Sequence, residues 1–236
     1  MHTSKHIYHH DTLELQGYLA QNQTPTSSKS PAVLVVHDWS GCNSFAQNQA
    51  VLMAQQGWIG FAIDMFGQGQ VGSTVQEKQA LMTPLMSDRA LLLARIQAAL
   101  DEVRTWPAVD PDRIGVLGFC FGGLCALDLA RSGAHIKGVV SVHGLLMPPP
   151  IPSTSPIQAK ILALHGYDDP MVKPTDVLNF CQEMKAANVD WQMHCFGQTQ
   201  HAFTNPQAHD HALGTVYNAR SAQRSSMMIQ SFFNDL

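Results

Sequence analysis

Cys120 stands between glycines in the stretch GFCFG, residues 118–122, and a thiol in that setting can serve as a nucleophile. The run RIGVLGF before it reads as a strand, and FGGLCA after it reads as the start of a helix. G-x-C-x-G at a strand-to-helix corner is the nucleophile-elbow pattern with cysteine in the place of serine. The glycines serve a steric purpose, because so sharp a turn brings neighbouring backbone against them. The corner lifts the sulfur above the sheet and aims the Phe121 N–H at whatever bonds to it. The positive end of the following helix favours a thiolate.

An activated thiol needs a base, and the base needs a group to orient it. In elbow enzymes these follow in the order nucleophile, acid, histidine. GYDDPMV supplies Asp169 just past a strand, and GQTQHAFTNP supplies His201 past the next. Asp168 competes for the acid role; Asp169 is preferred because Pro170 fixes its turn. His37, His143 and His165 each end an apolar run and read as partners of loop backbone. His2, His6, His9 and His10 read as a solvated, partly ordered terminus rather than a metal site. The acyl oxygen needs two backbone donors, expected from Phe121 and, in the loop HDWSGCNSF, from Trp39.

These residues need elements to carry them. Runs at 32–36, 58–63, 113–119, 137–142, 160–165 and 189–196 read as strands, several apolar throughout and so covered on both faces. Residues 6–20 read as an edge hairpin. Helices are expected over 44–57, 87–107 and 174–188, with Thr175 or Asp176 capping the last and Leu93, Ile96, Leu100 and Val103 on the buried face of the second. A C-terminal helix is signalled by Met228, Phe232 and Leu236, four apart. Alternating strands and helices predict an α/β fold with a mostly parallel central sheet and helices on both faces, in a single domain over 1–236. Such sheets place ligands beyond the C-terminal strand ends. The proline-rich MPPPIPSTSP, 147–156, reads as a surface loop within it.

The 236 residues carry a formal net charge of −4, against the basic face a nucleic-acid binder needs. No apolar run approaches the ~20 residues that cross a membrane. The N-terminus lacks a signal-peptide core, so a cytoplasmic protein is expected. Five cysteines with no CxxC pair favour neither a disulfide framework nor a zinc site.

Taken together, VVHDWSG, DRIGVLGFCFGG, HGYDDP and HAFTNP resemble the dienelactone hydrolase family of α/β hydrolases, from about Tyr18 to the C-terminus. The resemblance implies Cys120, Asp169 and His201 as the triad and Trp39 and Phe121 as oxyanion donors. It implies hydrolysis of a small ester or lactone without a cofactor, by a monomer or weak homodimer. The family's glutamate beside the resting cysteine is matched by Asp38. Its substrate-binding arginine after the histidine is matched by Asn205, so the resemblance implies the reaction class rather than the dienelactone itself. Arg89 reads as a surface helix residue. Trp39, Phe66, Met147 and Phe203 are the candidate apolar rim, each equally open to a role in loop packing. Two other readings stand beside hydrolysis: a redox sensor pairing Cys120 with Cys125, and a binding protein that keeps the fold without the chemistry.

Overall fold

The N-terminal histidines belong to a strand. In the computed structural model, which describes residues 1–22, 29–151 and 153–236, β1 (His2–His10) and β2 (Leu13–Gln21) form an antiparallel hairpin. His10 pairs with Leu13, so the turn is the two residues Asp11 and Thr12, with Asp11 at φ 52°. This is the hairpin expected over 6–20, reaching back to His2; His2 and His9 are exposed, and the expected solvated terminus is corrected by packing at His6 and His10. The His6 imidazole meets Glu102 Oε1 at 2.8 Å and stacks edge-on against Phe61 and Trp106.

The described residues form two compact units, Met1–Leu117 and Gly118–Leu236. In the first, β3 (Ser30–Val36) and β4 (Ile59–Ile63) run parallel, and β2 pairs with β4 antiparallel. Ala32 to Val36 and Ile59 to Ile63 are all buried, which is why both stretches read as unbroken apolar runs. Neighbouring residues of a strand point to opposite faces. A side chain at Gly60 would collide with the Ala50 carbonyl of α1 (Ser44–Gln55), whereas Phe61 stacks on Trp106, just past α3 (Arg89–Arg104). Helical segments therefore cover both faces. α1 begins at Asn43, whose Oδ1 accepts from the Phe45 and Ala46 amides, and it is followed by Gly57 at φ 92°. On α3 the buried stripe runs through Leu92, Arg95, Ile96, Leu100 and Val103, shifted from the expected Leu93. Arg95 is tolerated there because its guanidinium donates to the Met65 carbonyl at 2.9 Å and to His10 Nδ1 at 3.3 Å.

The second unit holds β6 (Gly138–Val142), β7 (Lys160–Gly166) and β8 (Trp191–Phe196), all parallel. β5 (Val109–Phe119) enters it and leads into α4 (Phe121–Arg131). Gly138 faces α6 (Ala219–Asn234): a Cβ there would lie 2.8 Å from Phe232 and 2.7 Å from Leu236. Ser141, an odd number of residues on, faces α4, where its Oγ would lie 2.6 Å from a Cβ on Gly123. Both faces are again covered, in agreement with the apolar runs of the sequence. α5 (Pro174–Ala186) starts one residue before the expected caps: Pro174 is its first helical residue and Asp176 accepts from the Lys173 amide at 2.8 Å.

Two elements escape the sequence reading. α2 (Val75–Ser87) begins with a capping box in which Thr74 Oγ1 accepts from the Glu77 amide and Glu77 accepts from Thr74, a T-x-x-E signal present in the sequence. The short pair β9 (His209–Asp210) and β10 (Thr215–Val216) has no pattern of its own to announce it. In the proline-rich loop, Arg131 donates to the Leu146 carbonyl at 2.8 Å and to the Met147 carbonyl at 3.3 Å. Pro152 lies outside the described residues.

Candidate active site

The corner between β5 and α4 is built around Gly118. A Cβ on Gly118 would overlap the carbonyl of Gly122 and come within 2.7 Å of the Gly123 amide nitrogen. Cys120 takes φ 53°, ψ −116°, a left-handed conformation that costs a side-chain-bearing residue about 1–3 kcal/mol. Its amide donates to the Val142 carbonyl at 3.0 Å, and its carbonyl accepts from Gly123, also at 3.0 Å. Those bonds hold the corner and leave the half-buried sulfur at the first turn of α4. The Phe121 amide precedes the first intrahelical bond of α4, which Gly123 makes to the Cys120 carbonyl.

Asp169 sits past the end of β7, buried, with Oδ1 accepting from the Met171 amide at 2.8 Å. Its other oxygen, Oδ2, lies 2.6 Å from His201 Nδ1. Asp168, the competing acid, is exposed, and the carboxylate that meets the histidine is that of Asp169. The loop bearing His201 is clamped by the β9–β10 segment: His201 N donates to Gly214 O, and Val216 N donates to His201 O, each at 2.9 Å. An ionised carboxylate only accepts, so the Nδ1 proton belongs to the bond with Asp169 and Nε2 is the remaining ring atom. Nε2 is buried without a well-formed hydrogen bond. Burial works against charge on this ring, but the Cys120 sulfur and the Asp169 carboxylate outweigh it and raise its pKa to about 10.

Two further histidines flank His201. His143, at φ 40°, lies with its ring 5.2 Å from that of His201, and its Nε2 meets Thr204 Oγ1 at 2.8 Å. Burial, and then the charge of His201, holds its pKa well below the usual histidine value. His165 is lowered by burial too. Both were expected to be satisfied by loop backbone, yet Nδ1 of each is buried without a partner. Phe203, a candidate rim residue, is fully buried with its ring 5.4 Å from that of Phe196; it packs the loop and does not line a rim. Asn205 spends its Oδ1 accepting from the Gln207 amide at 3.0 Å, a turn contact. Met147 is exposed. Among the described residues, no group of three or more His, Cys, Asp or Glu is placed to hold a metal ion. Among them no helix is long and apolar enough to cross a membrane.

In the first unit, the loop after β3 carries His37, Asp38 and Trp39. Asp38 Oδ1 accepts from the Ser40 amide at 2.7 Å, so that carboxylate folds its own loop. Trp39 is half-buried with Lys78 Nζ 5.4 Å above its ring. Phe66 is largely buried and packs on His37 at 4.6 Å. The sequence reading overlooked Asp64, whose two oxygens accept from the amides of Gln16, Phe66, Gly67 and Gly69. Its signal was an aspartate at a strand end before the glycine-rich turn MFGQG.

Residues 15–236 match the model of the dienelactone hydrolase family. A solved structure described as a dienelactone hydrolase-like promiscuous phosphotriesterase, from metagenomic libraries, has a TM-score of 0.93 and 32% identity over 100% of this chain and 98% of its own. An uncharacterized protein of Caenorhabditis elegans is 38% identical over 145 residues, 60% of this chain and 92% of the other. A protein of Aquifex aeolicus provisionally named carboxymethylenebutenolidase is 27% identical over 94% of this chain and 93% of its own. With the family matched from β2 to the last residue and the fold shared end to end, the chain belongs to the dienelactone hydrolase family, hydrolases of esters and lactones built on the α/β-hydrolase fold.

Proposed function

We propose that this hydrolase cleaves a small ester or lactone through a thioester formed on Cys120, with His201 as acid and base and Asp169 as its orienting partner. The observation that carries the reading is the buried 2.6 Å bond between His201 Nδ1 and Asp169, which leaves Nε2 for the sulfur at the elbow. A histidine pKa near 10 keeps the ring protonated at neutral pH, a state suited to stabilising a thiolate before it attacks.

In this scheme the thiolate adds to the ester carbonyl, making the C–S bond, and the negative oxygen is held by the Phe121 N–H group beside the sulfur. The intermediate collapses with loss of the alkoxide, which takes the Nε2 proton of His201. In a lactone that alkoxide stays tethered to the acyl group. Neutral His201 next takes a proton from water as the hydroxide adds to the thioester. Collapse expels the thiolate beside a reprotonated His201, and the carboxylic acid departs. The leaving thiolate makes the second half easy, whereas unactivated amides leave poorly in the first half.

Cys125 is fully buried in α4, which gives the redox reading no accessible partner for Cys120. The test is turnover of an activated aryl ester by the wild type, Cys120→Ala and His201→Ala. Both variants should lose turnover while remaining folded by circular dichroism; undiminished turnover by Cys120→Ala would remove the proposal. A panel of lactones and aryl esters, with an aryl phosphotriester added because of the structural relative's description, identifies the preferred acyl group.

A further inference from the structure

β6 ends at Val142, and two adjacent residues there reach in two directions. The Val142 carbonyl accepts from the Cys120 amide at 3.0 Å, so the strand end holds the corner that carries the sulfur. The next residue, His143, reaches the loop of His201: its Nε2 lies 2.8 Å from Thr204 Oγ1. His143 is itself fixed. It takes φ 40°, and its amide donates to the Leu164 carbonyl of β7 at 2.7 Å. The corner of Cys120 and the loop of His201 are thus tied to one strand end.

The His143 ring is a wedge. Its centroid lies 5.2 Å from that of His201 and 5.1 Å from that of Phe203, edge-on to both, and 5.9 Å from that of Phe119. His143, His201 and Phe203 are all packed away from solvent. Burial, and then the charge of His201, keeps His143 neutral. It can therefore lie against a charged His201 without repelling it.

The loop needs this support. Ala202, next to His201, takes φ 56°, a left-handed conformation that persists only where its surroundings over-determine it. Gly214 and Val216 hold the backbone of His201, and Asp169 holds its ring at Nδ1. A ring bonded at one atom can still rock about that bond and swing Nε2. The edge of His143, anchored by Thr204, closes that freedom. We propose that His143 is a positioning residue that sets the ring plane of His201, and with it the aim of Nε2, through its bond to Thr204, an inference that rests on the reading of His201 as the acid and base serving Cys120.

Two replacements of Thr204 separate the bond from the bulk. Thr204→Val keeps the shape of the side chain and loses the hydroxyl, whereas Thr204→Ser keeps the hydroxyl. With the aryl ester, Thr204→Val should lose about 10–10² in kcat, the cost of slightly misplacing a reacting group, with KM within about threefold. Thr204→Ser should restore most of that kcat. The second readout is the His201 ring itself, followed by NMR as pH rises. In the wild type its proton is lost near pH 10, because the Cys120 sulfur and the Asp169 carboxylate hold the charge. In Thr204→Val the ring turns from the sulfur, and the midpoint should move toward neutrality. A purely structural role leaves that midpoint in place, and an unmoved midpoint overturns the inference. An equal loss of kcat in Thr204→Val and Thr204→Ser overturns it too. If Thr204→Val fails to fold, His143→Leu removes the same bond and is read in the same way. A shifted midpoint with unchanged kcat upholds the hold of His143 on the ring and overturns the reading of His201 as acid and base.

Discussion

Nδ1 of His201 and Oδ2 of Asp169 are 2.6 Å apart, and both side chains are closed off from solvent. With Asp169 ionised the bond fixes one tautomer, and Nε2 is the face of the ring left for chemistry. Asp169→Asn presents an amide that can donate to Nδ1 and so favours the wrong tautomer. We expect kcat to fall by up to about 10⁴ with the fold retained. Asp168→Asn, altering an exposed neighbour, should leave kcat within about twofold of wild type. Steady-state kinetics on the two variants check the pair.

The raised pKa of His201 has consequences on the alkaline side. Activity that depends on the imidazolium as proton donor should fall as the pH passes about 10. Removing the Asp169 charge should draw that limb toward neutrality. Stability obeys the same linkage. The folded pKa exceeds the ordinary 6.5, so the stabilisation from this group is whole below pH 6.5 and is lost as pH climbs to about 10. Urea unfolding of wild type against His201→Gln across that window should show the difference shrinking as pH rises.

On the acid side the neighbours decide. His143 and His165 are held neutral by burial, with pKa values below 6.5 when folded. The unfolded chain binds protons there that the folded chain refuses, so stability should drop as pH falls from 6.5 through the lowered folded values. His143→Phe removes one such site, and its unfolding free energy should depend less steeply on pH in that range. Chemical denaturation at a series of acidic pH values measures the slope.

Gly118 is the steric hinge of the elbow. Gly118→Ala places a methyl into the Gly122 carbonyl, and neither backbone has room to yield. We expect a loss of about 3 kcal/mol or more, and turnover lost with it because the sulfur is displaced. Thermal unfolding and ester turnover should fall together.

Arg131 is a separate structural anchor. Its guanidinium bonds Glu183 through Nε and Nη2, each at 2.7 Å, and meets Asp128 at 3.4 Å while holding the Leu146 and Met147 carbonyls. Arg131→Met leaves the buried Asp128 without this partner and should cost about 3–5 kcal/mol. Denaturant midpoints check it, and kcat of the folded fraction should stay near wild type.

The sequence by itself determined the alternation of strands and helices, because runs such as AVLVV and KILAL are apolar at nearly every position and can only be covered on both faces. It also determined the elbow, since Gly-x-Cys-x-Gly states a steric requirement that the collision at Gly118 makes explicit. Tertiary structure decided what depends on distant partners. The choice of Asp169 over Asp168 came from which carboxylate turns inward to meet His201, a difference of one residue along a turn. Phe203 went to the core and Leu92 replaced Leu93 because packing selects among apolar residues that look alike in a string. His6, already within the expected hairpin, is drawn out of solvent because Glu102, Phe61 and Trp106 wait for it some 50 to 100 residues away, a separation no local pattern records. His143 met Thr204 across 61 residues, because a hydrogen bond is chosen by proximity of about 3 Å in space and not by adjacency along the chain.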